Sequence, residues 1–512
     1  MVYLYNFAFL KNHNMTGKNI RLLVFVILAA FVISIGGCKK DKKIVEPIVE
    51  NNDSITVASE IDQFIWYNMN LYYLWYKNVP NLADNRFATT SALLAYLKTF
   101  GSHDELFESL LYQPGTIDKW SWIVDDYVAL ENSFQGVSLS MGFEYGLVKY
   151  SNSNGVFGYV QYVVPGTPAA SAGIKRGDLF VAIDSQDLDI NNYATLLFDR
   201  ESFSISFANY NNGTIVPNNH TVFLTAVEVH ENPIHYTKVI ESAGRKIGYM
   251  VYNAFRSNYD NDLNNAIGEF KNAGIQDLIL DFRYNGGGSV LTATYLASMI
   301  YEANPTKVFA LTQYNDKLED YFRSEYGSDY FKTRFEAGIA QESGADVPIN
   351  SLNLNRVYII TTGGSASASE LVINGLDPYM EVNLVGENTH GKYVGSFTIK
   401  DYDNDGNINP NHKWALQPIT LKIANSNGVS DFVNGFTPDV LAEEDIVQLL
   451  PFGDENEPML KAALNAINGV PQTKSYSPSI FKKVADSKDL KPHSKEMYFE
   501  GDLMPTNILK KK

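Results

Sequence analysis

The sequence has one cysteine, Cys38, among 512 residues, and it is poor in positive charge. A single cysteine excludes an internal disulfide. With 41 basic and 58 acidic residues the formal net charge is −17, and the basic residues form no obvious binding face, which argues against nucleic acid as a partner. Charged residues make up only 19% and hydrophobic ones 45%, so the chain is globular rather than disordered, and its length predicts two or three domains.

Long hydrophobic runs are also scarce. Residues 22–37, LLVFVILAAFVISIGG, form an apolar run that is short for a membrane span but has the length of a signal-peptide core. The run ends in Ile35-Gly36-Gly37-Cys38, which resembles a bacterial lipobox. That resemblance implies that Cys38 receives lipid and becomes the mature N-terminus.

The N-terminal part is therefore predicted to be a signal peptide over 1–37 and a lipidated tether over 38–54. The protein is expected in the bacterial cell envelope, anchored to the membrane and facing the periplasm or the cell surface. An uncleaved anchor that happens to precede a cysteine is the alternative. Met15 is a second candidate for the start, because it opens a normal short basic leader.

Residues 357–376, VYIITTGGSASASELVINGL, combine an apolar β-branched run, two glycines and a segment of helical pattern. This order predicts a strand, a tight turn and a helix, with Ser367 at the helix N-terminus, where free N–H groups favour developing negative charge. Ser367-Ala368-Ser369-Glu370 also fits the S-x-x-E capping box. Taken alone, the motif favours a helix cap over a nucleophile.

Two other segments add chemistry to this serine. VNLVGENTHGKYVGS is an apolar run followed by a turn that carries Lys392, and LILDFRYNGGGSV ends a strand in Gly286, Gly287 and Gly288. Glycine N–H groups can approach a ligand closely because no Cβ intervenes. The three segments together predict a nucleophile, a base and an oxyanion site.

These motifs, SASASE, the GK of THGK and DFRYNGGG, resemble those of the C-terminal processing, or tail-specific, peptidases. These are serine peptidases with a Ser/Lys dyad and an embedded PDZ domain. The resemblance implies that Ser367 is the nucleophile and Lys392 its general base. It also implies an oxyanion hole formed by the N–H groups of Ala368 and Gly287, and a reaction that needs no metal or organic cofactor.

A lysine with its ordinary pKa of about 10.4 is protonated at neutral pH and cannot act as a base. Lys392 is therefore expected to be buried, so that desolvation lowers its pKa to roughly 7–8. Many family members carry a glutamine four residues after the lysine, where this chain has Ser396, the candidate third member. His390 lies on the same side of an extended segment as Lys392 and is an alternative base.

Residues 133–228 are rich in short strands and glycine turns, and GYVQYVVPGTPAASAGIKRGDLFVAIDS resembles the centre of a PDZ domain. PDZ domains bind a peptide by β-augmentation and hold its terminal carboxylate with loop N–H groups. The candidates for that loop are Gln135, Gly136 and Val137. The expected partners are therefore proteins or peptides with accessible C-termini, and a purely structural β domain is the alternative.

The rest of the chain predicts the remaining domains. Residues 55–132 are aromatic-rich with helical spacing and predict an N-terminal helical domain. Residues 229–450 alternate strand and helix patterns, which predicts a mixed α/β catalytic core into which the PDZ-like domain is inserted. Residues 451–512 predict one helix followed by a flexible tail.

DYDNDGNINPNHKW at 401–414 resembles the opening of a calcium loop through Asp401, Asp403 and Asp405. The twelfth position is His412, where a calcium loop needs a bidentate glutamate. A hairpin turn is therefore favoured over a weak calcium site.

The sequence predicts a lipid-anchored serine endopeptidase that forms an acyl-enzyme at Ser367. Two alternatives stay open. One is a peptide-binding envelope protein of the same fold without turnover, and the other is a Ser/His hydrolase that uses His390.

Overall fold

The computed structural model describes residues 57–151, 153–198, 200–403, 405–471, 481–489 and 494–500. The predicted signal peptide, Cys38 and the tether therefore lie outside the described residues. None of the described helices is both long enough and apolar enough to cross a bilayer.

The N-terminal region is helical, as predicted. Its elements are α1 (Val57–Tyr72), α2 (Thr90–Leu97), α3 (His103–Ser109), β1 (Trp122–Val124) and α4 (Tyr127–Phe134), with 3-10 turns at Tyr76–Asn78 and Pro80–Leu82. Ile65, Met69 and Tyr73 of this region have no exposed surface, and they share one core with Leu106 of α3. The aromatic stripe of α1 is thus core rather than a ligand site.

A β domain follows the helices. Its strands are β2 (Val137–Ser140), β3 (Phe143–Lys149), β4 (Val156–Val163), β5 (Leu179–Ile183), β6 (Gln186–Asp187), β7 (Ser202–Asn211), β8 (Thr214–Thr225) and β9 (Val227–His230); its helices are α5 (Pro168–Ser171) and α6 (Tyr193–Leu197). Strands β3, β4, β5, β7 and β8 are neighbours in one sheet, with β6 paired to β5. Strands β2 and β9 form a separate antiparallel ribbon.

The predicted α/β core contains two six-stranded sheets. Its strands are β10 (Ile234–Ser242), β11 (Arg245–Tyr252), β12 (Asp277–Asp281), β13 (Gly288–Ser289), β14 (Val308–Tyr314), β15 (Lys332–Arg334), β16 (Gly338–Ile339), β17 (Val347–Pro348), β18 (Arg356–Thr361), β19 (Glu381–Gly386), β20 (Val394–Ser396), β21 (Ile399–Lys400), β22 (Ala415–Gln417), β23 (Ile419–Asn425) and β24 (Val440–Leu441). Its helices are α7 (Asp260–Ala273), α8 (Val290–Ile300), α9 (Asp316–Tyr326) and α10 (Ala368–Leu376), with 3-10 turns at Ser257–Tyr259 and Ser328–Phe331.

The first sheet has the order β10-β11-β12-β18-β19-β24, with β10 antiparallel to β11 and the other neighbours parallel. Helices α7, α8 and α10 share a core with one face of this sheet, and the same core continues into β14 and β23 of the second sheet. Parallel strands place their carboxyl ends at one edge, and the segments after β12 and β18 therefore meet there. Those segments carry the glycine run and Ser367.

The C-terminal region corrects one expectation. The predicted helix is α11 (Pro458–Ile467), which packs on the opposite face of the first sheet. The prediction of a flexible tail is wrong for the two described stretches beyond this helix, because they contain strands β25 (Lys482–Asp486) and β26 (Met497–Tyr498). β25 pairs with β3 of the β domain, and β26 lies between β13 and β20 in the second core sheet. A two-residue strand leaves no periodicity in the sequence, so its pairing could not be predicted.

The 401–414 segment forms the predicted hairpin turn. Tyr402 bridges Ile408, and the Asp403 carboxylate accepts hydrogen bonds from the N–H groups of Asp405 and Asn407 at 2.9 Å. Asp401 instead contacts His412. The carboxylates thus serve the turn, and the described part of the chain holds no cluster of metal-ligating side chains.

Candidate active site

Ser367 lies where the sequence predicts, at the junction between β18 and α10. Its backbone has φ 64° and ψ −115°, a conformation that side chains with a Cβ rarely adopt and that costs about 1–3 kcal/mol. Tertiary hydrogen bonds hold the junction in place: the Ser365 hydroxyl donates to Phe282 O at 2.8 Å, and the Ala366 N–H donates to Asn285 O at 3.1 Å. The strained turn points the serine into the interior of the site.

The Ser367 side chain has no exposed surface, and its hydroxyl makes no hydrogen bond within the described residues. The turn keeps the capping-box arrangement, with the Ser367 side chain facing the Glu370 N–H, but the hydroxyl and that N–H do not form a hydrogen bond of good geometry. A buried polar atom without a partner is costly, and such atoms concentrate at functional sites. The position combines an unused hydroxyl with the positive end of a helix dipole.

The side chain of Glu370 forms the second half of the capping box and also binds the turn that carries Lys392. Its Oε2 accepts from the Ser367 N–H at 2.8 Å and from the Lys392 N–H at 2.9 Å, so a single oxygen holds both backbones. Its Oε1 accepts from the Thr389 hydroxyl and the Gly391 N–H, each at 2.6 Å. Burial raises the pKa of Glu370 to about 6, while these hydrogen bonds act to lower it. Glu370 thus ties the serine turn to the lysine turn.

Lys392 is fully buried, as expected, and its burial lowers its pKa, with the nearby Glu496 carboxylate acting in the opposite direction. Its Nζ donates to Lys495 O at 2.6 Å and lies 3.5 Å from Glu496 Oε2. The Trp120 ring centroid is 5.8 Å away. Within the described residues Nζ makes no hydrogen bond to Ser367, and the two polar groups that it contacts, Lys495 O and Glu496 Oε2, both belong to the C-terminal segment.

Gly287 lies against the nucleophile. A Cβ at this position would be 2.6 Å from the Ser367 Cβ and 2.9 Å from the Ala368 nitrogen, and the residue has φ +109°. Only glycine fits there. Of the two predicted oxyanion donors, Ala368 is the first residue of α10, where N–H groups have no intrahelical acceptor, whereas the Gly287 N–H donates to Asn285 Oδ1 at 2.9 Å.

The sequence matches three family models, and the two S41 models together cover just over half of the chain. Residues 246–442 match the model of peptidase family S41, residues 60–122 match the peptidase S41 N-terminal domain, and residues 159–205 match a PDZ domain. The chain belongs to peptidase family S41. The mixed α/β core, the PDZ domain and the N-terminal helical region are therefore those of an S41 peptidase.

Curated relatives of this S41 chain include the chloroplastic C-terminal processing peptidase of Tetradesmus obliquus, 25% identical over 291 residues that cover 54% of this chain and 56% of the relative. The carboxyl-terminal-processing protease of Synechocystis is 22% identical over 307 residues, covering 59% and 63%. Each alignment thus spans less than two thirds of the relative. A crystal structure described as an S41 protease of Bacteroides fragilis superposes with a TM-score of 0.59 at 28% identity, covering 80% of this chain and 98% of the other.

The S41 chain uses Ser396 differently from the prediction. The Ser396 hydroxyl accepts from Gln417 Nε2 at 2.9 Å and lies 3.4 Å from Met497 O, and it makes no hydrogen bond to Lys392 in the described part of the chain. Gln417 is fully buried and also accepts from Thr398 at 2.8 Å. Ser396 is thus a strand contact rather than a third member of the dyad.

His390 is half-buried, and burial together with nearby lysines lowers its pKa to about 4. Its backbone N–H donates to Ser365 O at 2.9 Å. Among the described residues no carboxylate accepts a hydrogen bond from its ring, so the orienting group that a Ser/His pair needs is missing here.

The three candidate carboxylate-binding residues follow α4 directly and precede the segment that matches the PDZ model. The Gln135 N–H donates to Asn132 O at 3.1 Å and the Gly136 N–H donates to Ser133 O at 2.9 Å, since both close the last turn of the helix. These two N–H groups are therefore not available to a peptide carboxylate in this structure. Val137 begins β2, which pairs only with β9 among the described strands and leaves its other edge open.

Arg283 is a structural ion-pair partner, as predicted. Its guanidinium has no exposed surface and contacts Asp281 at 2.6 Å, Glu457 at 2.8 Å and Glu444 at 2.9 Å. Arg176 of the PDZ domain also contacts Glu444, at 2.6 Å. This buried network fixes the strand end from which the glycine run leaves.

Proposed function

We propose that this S41 chain is a serine endopeptidase that cleaves proteins and peptides through an acyl-enzyme at Ser367, with Lys392 as the general base. The proposal is supported by a buried Ser367 hydroxyl without a hydrogen bond in the described residues and a buried Lys392 of lowered pKa, whose backbone N–H groups both donate to Glu370 Oε2. Nucleophilic catalysis needs a reactive hydroxyl and a base, and burial shifts the pKa of Lys392 in the direction that a base requires.

The reaction follows from the groups present. The neutral Lys392 amine takes the proton of Ser367 while Oγ attacks the scissile carbonyl carbon, and the carbonyl oxygen becomes an oxyanion. The Ala368 N–H and the α10 dipole stabilise that charge. Collapse breaks the C–N bond, and the leaving amine takes the proton from Lys392. Water then attacks the acyl ester and gives a proton to Lys392. Collapse breaks the ester C–O bond, Ser367 Oγ takes that proton from Lys392, and the carboxylic acid is released.

Substrate recognition is assigned to the PDZ domain. An extended peptide is proposed to pair with the open edge of β2, with the Val137 region near its C-terminus. The groove beside this edge is continuous with the glycine run, since Gly136, Ser138 and Gly287 line the same cavity. A substrate end bound on the PDZ domain thus leads toward Ser367. The predicted lipid anchor at Cys38 would hold the enzyme at a membrane of the cell envelope.

The proposal is tested by incubating the purified protein with an unfolded substrate such as reduced casein. Cleavage is expected, and the Ser367→Ala variant is expected to lose it. A matched control is Ser369→Ala. Ser369 lies two residues after Ser367, and its hydroxyl donates to Asn285 O. Cleavage that persists in Ser367→Ala would overturn the assignment, and absence of cleavage under all conditions would favour a peptide-binding protein of the same fold.

Replacing Glu370 with glutamine is expected to lower kcat/KM by about 10²-fold, because displacing a catalytic group by about 1 Å has an effect of that size. The two carboxylate oxygens of Glu370 now accept four hydrogen bonds. Glutamine has only one oxygen, and its NH₂ group would face two of the four donors without accepting from them. The measurement is kcat/KM on a fluorogenic peptide. Glu381→Gln, at an exposed position of β19, is the control and should behave as wild type. Unchanged kinetics in Glu370→Gln would show that the clamp does not position the dyad.

A further inference from the structure

The described C-terminal segment, residues 494–500, runs directly through the candidate active site. Its strand β26 pairs in parallel with β13 on one side and with β20 on the other. β13 follows the glycine run, and β20 follows Lys392. The segment thus fills a slot whose two walls are the two halves of the site.

Backbone groups of this segment bind the catalytic machinery. The Gly288 N–H donates to Glu496 O at 2.6 Å, and Lys392 Nζ donates to Lys495 O at 2.6 Å. A Cβ on Gly286 would lie 2.2 Å from Ser494 O, so the segment also covers the glycine run. These contacts are of the kind that an extended peptide substrate makes with a cleft.

The side chain of Glu496 adds an ion pair to the base itself. Glu496 Oε2 lies 3.5 Å from Lys392 Nζ, and both side chains are almost fully buried. A carboxylate at that distance favours the ammonium form of lysine, which cannot take a proton from serine. The Ser367 hydroxyl meanwhile has no partner within the described residues. The segment therefore supplies a contact that favours the protonated lysine and opposes the effect of burial.

Apolar contacts anchor the segment at both ends of the slot. Met497 has no exposed surface and belongs to the main core, and the Phe499 ring stacks on Phe397 at 5.2 Å. The Tyr498 ring stacks on Phe134, the last residue of α4, with ring centroids 4.1 Å apart. Both residues line the same cavity as Ser138 of β2. The occupant of the slot thus also contacts the region proposed to receive substrate.

We propose that residues 494–500 are an intramolecular inhibitor, and that the slot between β13 and β20 is a binding site for an extended peptide backbone, for which this segment and the substrate compete. This inference rests on the proposed peptidase function. The segment is assigned as an inhibitor rather than a substrate because the Lys495 carbonyl accepts from Lys392 Nζ and the Glu496 carbonyl accepts from the Gly288 N–H, and within the described residues neither accepts from the Ala368 N–H proposed for the oxyanion.

Three forms of the protein test the proposal: the full chain, a chain lacking 501–512, which keeps β26, and a chain lacking 490–512, which loses β26 but keeps β25. Removing an internal competitor raises the fraction of molecules whose slot can bind substrate. We therefore expect kcat/KM of the 490–512 deletion to exceed that of the full chain by at least about 10-fold. The 501–512 deletion is the matched control and should behave as the full chain. Thermal unfolding of each form reports whether the fold is kept.

A synthetic peptide of residues 490–500 is then added to the 490–512 deletion. Competitive inhibition is expected, together with saturable binding that a scrambled peptide lacks. Equal activity of the full and 490–512-deleted chains would overturn the proposal, and so would failure of the peptide to bind. Loss of the segment from the full chain during incubation, absent in Ser367→Ala, would also overturn it by showing that the segment is a substrate.

Glu496→Gln in the full chain keeps the strand and removes the charge. Activity is expected to rise, and the acid limb of the kcat/KM profile is expected to move to lower pH, because the ammonium form of Lys392 loses a partner. An unchanged pH profile would contradict the inhibitory role of this carboxylate. If no form cleaves any substrate, the proposed function fails, while peptide binding to the 490–512 deletion still decides whether the slot exists.

Discussion

Replacing Lys392 with methionine is expected to lower kcat/KM by about 10²–10⁴-fold, the usual contribution of a general base. Methionine fills a similar volume and suits a buried site, so packing is kept while the amine is lost. In the wild type, burial holds the pKa of Lys392 below its ordinary value, so the neutral fraction and the activity rise as pH rises through that pKa. The residual activity of Lys392→Met should lack this acid limb. The measurement is kcat/KM against pH for both proteins.

Two controls accompany this variant. Lys422→Met removes a lysine of β23 that pairs with Asp431 at 2.8 Å near the surface, and it should leave kcat/KM unchanged. His390→Ala should retain most activity. If Lys392→Met keeps wild-type activity while His390→Ala loses it, the base is the histidine and the Ser/Lys account is contradicted.

Replacing Gly287 with alanine is expected to lower kcat/KM by about 10²–10³-fold, comparable to the loss of an oxyanion-hole donor. The added methyl would lie 2.6 Å from the Ser367 Cβ and 2.9 Å from the Ala368 nitrogen, in the space that the oxyanion must enter. The methyl would also lie 2.5 Å from Glu496 O, so the serine turn, the glycine run or the C-terminal segment must move. The measurement is kcat/KM together with the thermal midpoint of unfolding, which separates lost catalysis from lost fold.

Gly274→Ala is the matched control for Gly287→Ala. Gly274 ends α7 with φ +69°, and a Cβ there would meet no atom within 4 Å, so this substitution adds backbone strain without filling the site. It should lower stability by about 1 kcal/mol and leave kcat/KM unchanged. Full activity of a folded Gly287→Ala variant would show that the space beside Ala368 is not where charge develops.

The parts of this molecule that could be predicted from sequence are those with local signals. The strand, glycine turn and helix around Ser367 follow from a β-branched run, two glycines and a helical pattern that all favour the same structure. The burial of Lys392 followed from chemistry rather than pattern, because a protonated lysine cannot be a base. The domain order followed from the change in periodicity between 55–132, 133–228 and 229–450.

The parts that could not be predicted depend on contacts between distant segments. Glu370 was visible as the end of a capping box, but its bonds to 389–392 join two turns that no local pattern connects. The family resemblance made Ser396 a candidate partner of Lys392, whereas in the fold the Ser396 hydroxyl accepts a hydrogen bond from Gln417. The strand at 497–498 follows a polar, proline-containing stretch typical of a tail, and its position depends on pairing with β13 and β20.

The most direct test of the Ser/Lys account is to label the enzyme with a serine-directed phosphonate probe and to map the modified residue by mass spectrometry. The account predicts one adduct per chain, on Ser367, formed at a rate that rises with pH in the wild type and falls by about 10²-fold or more in Lys392→Met. Labelling of another residue, or equal rates in the two proteins, would contradict it.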